Sequence, residues 1–424
     1  MTDRLIFHDL VGPDRPLTSE EDQWLQGLAE TTQPADFTLR MGRSLAADSP
    51  GPIVRRDLPG WTAGRYIGEL YRDGRVLEIR PRLDFNTIAA WAGAALNLHV
   101  IPRSAQHVAA PTFIAELLAA TWRAALVDAA RHGPPGIRTR QLHVSEHTRG
   151  QLDVHKTLML RAGRRPMLAS TIRPKKIDNP VSRSIVLADR VLDRRIHRSD
   201  WRGDRVDELM PRLRAGTGPR PALPTWRELK AVRYTPITLP YKRVAELSWR
   251  IVRHQGLRST ATADRTDGVL IDVAELWELF LLHCAKKAFG VTNVLHGTHL
   301  RDGHFLLRNP SADKAFGRMY PDIMVGPVDR PRAIIDAKYK PLAEPRGVDR
   351  EDLYQLNAYL SAHTQLPLPT GALGFVAFPG QVYESYAEQH SPWTTFQGHL
   401  VNFTRLPATE DECIERLRKL FGRQ

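Results

Sequence analysis

The feature that most restricts this chain is a pair of short segments, Tyr320-Pro321-Asp322-Ile323-Met324-Val325 and Ile334-Ile335-Asp336-Ala337-Lys338. Met319 to Gly326 and Arg332 to Lys338 read as strands, with the turn-rich Pro327-Val328-Asp329-Arg330-Pro331 between them. Side chains alternate along a strand, so Asp336 and Lys338 share one face while Ile335 and Ala337 turn to a core. An acid and a lysine on one face, beside Asp322 from a neighbouring strand, make a compact candidate cation site. Two carboxylates are hard oxygen ligands suited to Mg²⁺, which keeps several waters and also takes phosphate oxygens. The backbone carbonyl of Ala337 can add a further oxygen. Such a cation lowers the pKa of a bound water and offsets charge growing on a phosphate. Lys338 can orient that water or act as a point cation toward phosphate. The plainer alternative is two ordinary strands with solvated charges at their edges.

The elements around the pair alternate in an α/β manner. Val269 to Phe289 reads as one long helix. Asp349 to His363 reads as a helix capped by Asp349, with Leu353, Leu356 and Leu360 as its apolar stripe. Ala372 to Phe378 reads as a strand buried on both faces, and Thr409-Glu410-Asp411-Glu412 as a capping box opening a last helix. Upstream, 64–71 and 75–80 flank Arg72-Asp73-Gly74, whose Asp-Gly pair suits a tight hairpin turn. Asp48 to Pro59 reads as a loop and Asn86 to Leu98 as a helix. Between these regions, helices are expected over Pro111 to Ala130, Asn179 to Leu192 and Tyr241 to His254, with an irregular connector from Ala215 to Thr225. The fold class is thus α/β (α+β): a mixed N-terminal part at 1–102, a largely helical middle at 103–240 and the motif-bearing domain at 241–424.

Charge narrows the partners. Lys and Arg number 60 against 47 acids, a net +13, which favours polyanions because basic side chains displace counterions from phosphates. Eleven of those sixty are Lys, so a Lys at a motif position stands out in an Arg-dominated chain. The two cysteines, Cys284 and Cys413, sit in apolar helical patterns, as buried free thiols of a reducing compartment do, and rule out a Cys-based zinc cluster. No run approaches the roughly 20 apolar residues of a membrane span, and the first nine residues carry acids where a signal peptide needs an apolar run. A cytoplasmic protein without membrane partners is expected.

Pro-Asp opening an apolar strand, Asp-Ala-Lys closing the next, and a capped helix after it resemble the PD-(D/E)xK nuclease fold. The resemblance implies a glutamate on the preceding helix, where Glu275 and Glu278 both occur. Glu278 lies against apolar Leu279 to Leu282, where an unpaired charge is costly, and is the preferred candidate. It also implies a glutamine on the helix after the lysine, and Gln355 matches, off the leucine stripe. Leu276-Trp277-Glu278, Tyr320-Pro321-Asp322-Ile323, Asp336-Ala337-Lys338-Tyr339-Lys340 and Asp352-Leu353-Tyr354-Gln355-Leu356 together look like McrC, the nuclease subunit of McrBC modification-dependent restriction systems. Three further segments resemble the same family: Leu77-Glu78-Ile79-Arg80-Pro81-Arg82, Thr148-Arg149-Gly150-Gln151-Leu152-Asp153 and Ile177-Asp178-Asn179-Pro180. Arg82 where lysine is usual, and extra length from Arg194 to Thr225, depart from it.

What this resemblance implies is a Mg²⁺-dependent DNA endonuclease (Mn²⁺ able to substitute) with Asp322, Asp336, Lys338, Glu278 and Gln355 at the catalytic site, and Asp322, Asp336 and Ala337 as metal ligands. The implied partners are DNA and an McrB-like AAA+ GTPase motor, into whose ring the N-terminal part docks. The chain has no G-x-x-x-x-G-K-[ST] loop, so nucleotide is not expected to bind here. Two alternatives stand beside it: a stand-alone nuclease of this fold in repair or transposition, and a catalytically silent DNA-binding or motor-regulating scaffold. His143, His147 and His155 show no H-E-x-x-H spacing, no G-x-S-x-G elbow occurs, and Trp61, Trp91, Trp122 and Trp201 suit core packing better than base stacking.

Overall fold

The computed structural model describes residues 3–39, 51–57, 60–96, 110–138, 141–196, 200–255, 266–300, 305–309, 311–342, 347–381 and 383–422. These form two compact units, residues 1–114 with 261–424, and residues 115–260. The division read from sequence at 102 and 240 groups the chain differently, and residue 102 lies outside the described residues, as do 48–50, 58–59, 97 and 98 of the expected loop and helix.

The first unit holds two sheets. One comprises β1 (Asp3–His8), β2 (Thr38–Leu39), β3 (Tyr66–Arg72), β4 (Arg75–Arg80) and β5 (Asp267–Asp272), in the order β1-β4-β3-β5-β2. The expected Asp-Gly hairpin is β3–β4, paired antiparallel with Arg72 opposite Arg75. Helices α1 (Ser19–Thr31) and α2 (Phe85–Leu96) accompany it, and Val54–Arg56 within the expected loop pairs with Trp61–Ala63. β5 corrects the sequence reading most, because Val269 to Asp272 were expected to be helical. They pair antiparallel with β3 instead, Leu270 and Ile271 being buried. The strands come close at two glycines. A Cβ at Gly268 would lie 2.2 Å from the Glu69 carbonyl oxygen, and one at Gly68 would lie 2.2 Å from that of Val269. The chain then turns at Asp272, whose carboxylate accepts from the amides of Ala274 (3.0 Å) and Glu275 (3.3 Å) and starts helix α3 (Val273–Phe289).

The second sheet comprises β6 (Val294–Leu295), β7 (Ile323–Val325), β8 (Ala333–Lys338), β9 (Thr370–Val376), β10 (Trp393–Thr394) and β11 (Leu400–Leu406), in the order β6-β7-β8-β9-β11-β10. β7 and β8 are antiparallel, while β8, β9 and β11 run parallel. β8 and β9 therefore lie centrally, and every residue of β9 is buried. Helix α3 packs on one face, with Leu281 and Ile335 both near Gly374. On the other face helix α4 (Arg350–Ser361) packs Leu356 and Leu360 against Ile334, Leu373 and Phe375. Leu353, assigned to the same stripe, is exposed. A short helix α5 (Tyr386–Gln389) precedes β10, and α6 (Glu410–Phe421) closes the unit.

Two caps differ from expectation. Asp349 stands at the N-cap of α4 without a capping bond, its carboxylate taken by Lys340, and Thr409 gives its hydroxyl to the Glu412 carboxylate instead of capping α6. Cys284 and Cys413 are free and buried, one on α3 and one on α6. Trp91 of α2 stacks on Phe280 at 5.4 Å and donates its indole N–H to the Ala408 carbonyl at 2.8 Å.

In the second unit, helices Pro180–Arg195 and Tyr241–Gln255 pack on each other, and the buried Trp122 donates to Ser248 Oγ at 2.8 Å. This region is helical as expected but also carries a three-stranded sheet of Gln141–Ser145, Leu168–Ile172 and Gln151–Leu152. Helix Asp204–Thr217 takes up the start of the expected connector. The Asn179 side chain caps the helix after it, accepting from Ser182 N–H at 3.1 Å and donating to the Pro135 carbonyl at 2.7 Å. Gly150 has φ +82°, and Asp153 caps the helix Val154–Ala162, so the Arg-Gly-x-Leu-Asp element is a turn followed by a helix start. Trp61, Trp91, Trp122 and Trp201 are all buried.

The Gly68–Gly268 approach yields a stability prediction. Gly268→Ala forces its Cβ onto a backbone oxygen, and a clash of this kind costs about 1–3 kcal/mol. Thermal unfolding should show a lowered melting temperature. An unchanged one would mean that β3 and β5 are not held this close.

Candidate active site

Asp322, Asp336, Lys338, Glu278 and Gln355 come together on the second sheet. β7 pairs with β8 from Ile323 opposite Ile335 to Val325 opposite Ala333. Just before Ile323 the Asp322 side chain takes over as ladder acceptor, receiving the Ala337 N–H on Oδ2 at 2.7 Å. The amide of Ala337 is thus what the structure engages with Asp322, where the sequence reading used its carbonyl. Asp336 is 1% exposed, so the picture of solvated charges at strand edges does not hold for it. Lys338 Nζ lies 2.7 Å from Asp336 Oδ2, donates to Gln355 Oε1 at 2.7 Å and stands 3.3 Å from Asp352 Oδ1.

The electrostatics are those of crowded carboxylates. Burial, then the charges of Glu278 and Asp336, pushes Asp322 well above the usual carboxylate range, against the pull of Lys338 and the Ala337 amide. Asp336 is raised by burial too, with Lys338 opposing. Burial alone would lower Lys338, but the carboxylates of Asp336, Asp352 and Asp322 outweigh it and raise the ammonium.

Several residues that position this group were not identified from the sequence. Buried His296 accepts the Thr298 amide on Nδ1 (3.2 Å), which leaves Nε2 as the donor to Glu278 Oε1 at 2.5 Å. Gly297 donates to the Pro321 carbonyl at 3.0 Å, and a Cβ there would meet that oxygen at 2.2 Å. Only glycine lets this turn press on the backbone next to Asp322. On α4, Gln355 Nε2 donates to Tyr359 Oη at 2.9 Å, and Tyr359 donates to the Tyr320 carbonyl at 3.2 Å. Asp352, Gln355 and Tyr359 recur at helical spacing on one side of α4, the signal by which they could have been found together. His296 offers no comparable signal.

Behind Lys338, Tyr339 packs edge-on to Phe378 at 5.4 Å. Arg82 lies over the same ring at 3.8 Å, and its amide donates to buried Asp9 at 2.5 Å. The arginine that departs from the family pattern is therefore a packing residue beside the motif strand.

The donor chemistry fits a divalent cation. Asp322 and Asp336 are converging oxygen donors whose mutual repulsion a positive ion would relieve. Among the described residues no group of three or more His, Cys, Asp or Glu is arranged to hold a metal. Two carboxylates are hard oxygen donors of the kind a divalent cation such as Mg²⁺ takes.

The raised pKa of Asp322 has a stability consequence. The folded state holds this proton more tightly than the unfolded chain, so stability falls as pH rises from the ordinary carboxylate pKa to the raised one. Asp322→Asn should raise the melting temperature of the cation-free protein at pH 7.5 by about 2–4 °C, roughly 1 kcal/mol for a domain of this size. The gain should vanish near pH ~4, where an ordinary aspartate is itself half protonated. A variant that melts lower at pH 7.5 would show that the Ala337 hydrogen bond outweighs the repulsion.

The chain matches the family described as "McrBC 5-methylcytosine restriction system component" over residues 61–366. No curated protein matches it. Among solved structures it is similar to a chain of the half-complex from the tetradecameric assembly of Thermococcus gammatolerans McrB AAA+ hexamers with bound McrC. That match has 14% identity and a TM-score of 0.51, covering 98% of this chain and 100% of that one. A chain of the T. gammatolerans McrBC complex matches at 15% identity and a TM-score of 0.39, over 67% of this chain and 88% of that one. With a family match spanning most of its length, the chain belongs to the McrBC 5-methylcytosine restriction system components, the systems whose McrC subunit its motifs resemble.

Proposed function

We propose that this protein is the nuclease subunit of its restriction system, hydrolysing DNA phosphodiester bonds with Mg²⁺ and working with an McrB-like AAA+ GTPase. The observation that carries the reading is that Asp322, just before β7, lies beside both Glu278 of α3 and Asp336 of the central strand β8, with Lys338 on Asp336. Burial raises both Asp322 and Asp336, and the neighbouring charges of Glu278 and Asp336 raise Asp322 further, a perturbation typical of functional sites. The motor partner rests on family membership and on the likeness to a McrB–McrC assembly.

Asp322 and Asp336 would hold the cation, which when bound supplies charge neutralisation at the phosphate and an acidified water. Lys338 Nζ, fixed between Asp336 and Gln355, presents a cation to a non-bridging phosphate oxygen. Glu278, aimed by His296, offers a carboxylate oxygen to the water entering beside Asp322. The net charge of +13 favours association with the DNA backbone. No helix among the described residues is long and apolar enough to cross a membrane.

The test is cleavage of methylated and unmethylated plasmid with Mg²⁺, with and without the motor subunit and GTP. Asp336→Asn should reduce cleavage at least about a hundredfold, while DNA affinity, spread over many phosphate contacts, stays within about threefold. Efficient cleavage by the chain alone would make it an autonomous nuclease. No cation-dependent cleavage under any condition would leave a DNA-binding scaffold. His296→Phe, which removes the donor to Glu278, should slow cleavage about tenfold and raise the Mg²⁺ concentration required, while His296→Gln restores part of the rate. Equal rates in all three proteins would exclude Glu278 from the reaction.

A further inference from the structure

The sheet face that carries Asp336 and Lys338 continues past α4 into an open groove of about 1190 Å³. Strand register places Phe375 beside Lys338, and Leu373 between Asp336 and Phe403, so these side chains rise on one face. Phe375 and Phe403 form the groove floor. α4 makes one wall with Tyr354, 65% exposed, and the segment from α5 to just past β10 makes the other with Tyr386, Trp393 and the fully exposed Phe396. Trp393 is a fixed platform, since its indole N–H donates to the Ala387 carbonyl at 2.8 Å and its ring packs 5.9 Å from Tyr386 and 6.5 Å from Phe403.

The end of the groove nearest the site interleaves charges, with Lys340 and Arg350 beside Asp349 and Asp352. Lys340 lies there, two residues beyond Lys338, and the two ammonium groups share Asp352, Lys340 at 2.6 Å from Oδ2 and Lys338 at 3.3 Å from Oδ1. Arg350 is exposed on the rim and has no ion pair among the described residues. An aromatic trough left open to water wants a ligand that is flat, apolar on its faces and tied to negative charge. A base within a duplex has both faces already stacked. An unpaired base has a face to give, and aromatic platforms beside a basic path are how proteins hold one.

Building on the nuclease reading, we infer that this groove holds unpaired nucleobases of the DNA strand next to the scissile phosphate. The strand's phosphates run along Lys338, Lys340 and Arg350, and its bases stack on Trp393 and on Tyr354 or Phe396. Cleavage then occurs where the duplex has opened locally, with the groove holding the opened strand in place.

The test uses a single-stranded oligonucleotide carrying one 2-aminopurine, whose fluorescence is quenched when it stacks on an aromatic ring, and the full-length chain in EDTA, so that binding is read without turnover. The wild type and Asp336→Asn should both quench the probe. Trp393→Ala combined with Phe396→Ala should lose the quenching and weaken single-strand binding about tenfold or more, with duplex affinity nearly unchanged; Phe396→Ala alone, at a fully exposed side chain, should lower quenching in the same direction with the melting temperature unchanged. Tyr354→Ala, on the opposite wall, should give a smaller loss in the same direction. No quenching by the wild type, or equal quenching by the double variant, overturns the inference. So does a double variant that binds the probe normally but changes oligomeric state in sedimentation velocity, which would make the groove a protein contact. Plasmid cleavage is measured separately with Mg²⁺: cleavage without quenching removes the groove proposal alone, and quenching without cleavage removes the nuclease reading alone.

Discussion

The arrangement depends on one electrostatic constraint: buried Asp322 is held beside both Asp336 and Glu278, where little water can screen its charge. Carboxylates free to move would separate, so each is restrained by an element that cannot yield. Asp336 is fixed by the central strand of a sheet covered on both faces. Asp322 is fixed by the Ala337 amide and by the turn at Gly297 that grips the preceding carbonyl. Glu278 is fixed by α3 and the His296 imidazole. The folding energy of the sheet maintains a repulsion that a bound cation would turn into attraction.

Such restraint needs α3 itself to be immobile, which explains why the N-terminal sheet belongs to the same compact unit as the motif strands. β5 is the inner partner of β3 and runs without a break into α3. Asp272, at the joint, caps the helix and takes Arg65 Nε at 3.1 Å. α3 is anchored again by Trp91, which packs on Trp277 and Phe280. Asp9, Arg82 and Phe378 close around Tyr339, the residue after Lys338. A displacement of the N-terminal sheet would therefore reach both the helix that aims Glu278 and the strand that carries Lys338.

The motif strands, the α4 helix and the Asp-Gly hairpin were legible in the sequence because each depends on near neighbours: alternation, an apolar stripe, a turn that requires a positive φ. β5 was not. Val269-Leu270-Ile271 is apolar and abuts a true helix, so periodicity alone extends the helix backward, and only the distant partner β3 makes it a strand. The two missed caps have a similar cause, since Asp349 and Thr409 carry the right chemistry but the nearby charges of Lys340 and Glu412 claim their oxygens. In the site, Asp322, Asp336 and Lys338 stood out by motif and Gln355 by resemblance. His296 acts across 18 positions on Glu278, a distance at which no local spacing rule operates.

The choice of lysine at 338, in a chain that otherwise uses arginine for most of its positive charge, follows from the geometry around it. An ammonium has three donors spread around one point and can face Asp336, Asp352 and Gln355 on different sides. A guanidinium is a planar fork that suits two oxygens of one carboxylate and would commit to Asp336 or to Asp352. Three acceptors from β8 and α4 converge on a single atom, so the charge is held centrally and stays compact toward the side where a phosphate would approach. Lys340, two residues past the end of the strand, repeats the same device, gripping Asp352 and Asp349. The acids of α4 thus act as a rail that spaces two point cations along one side of the sheet, a spacing that paired arginine forks could not reproduce.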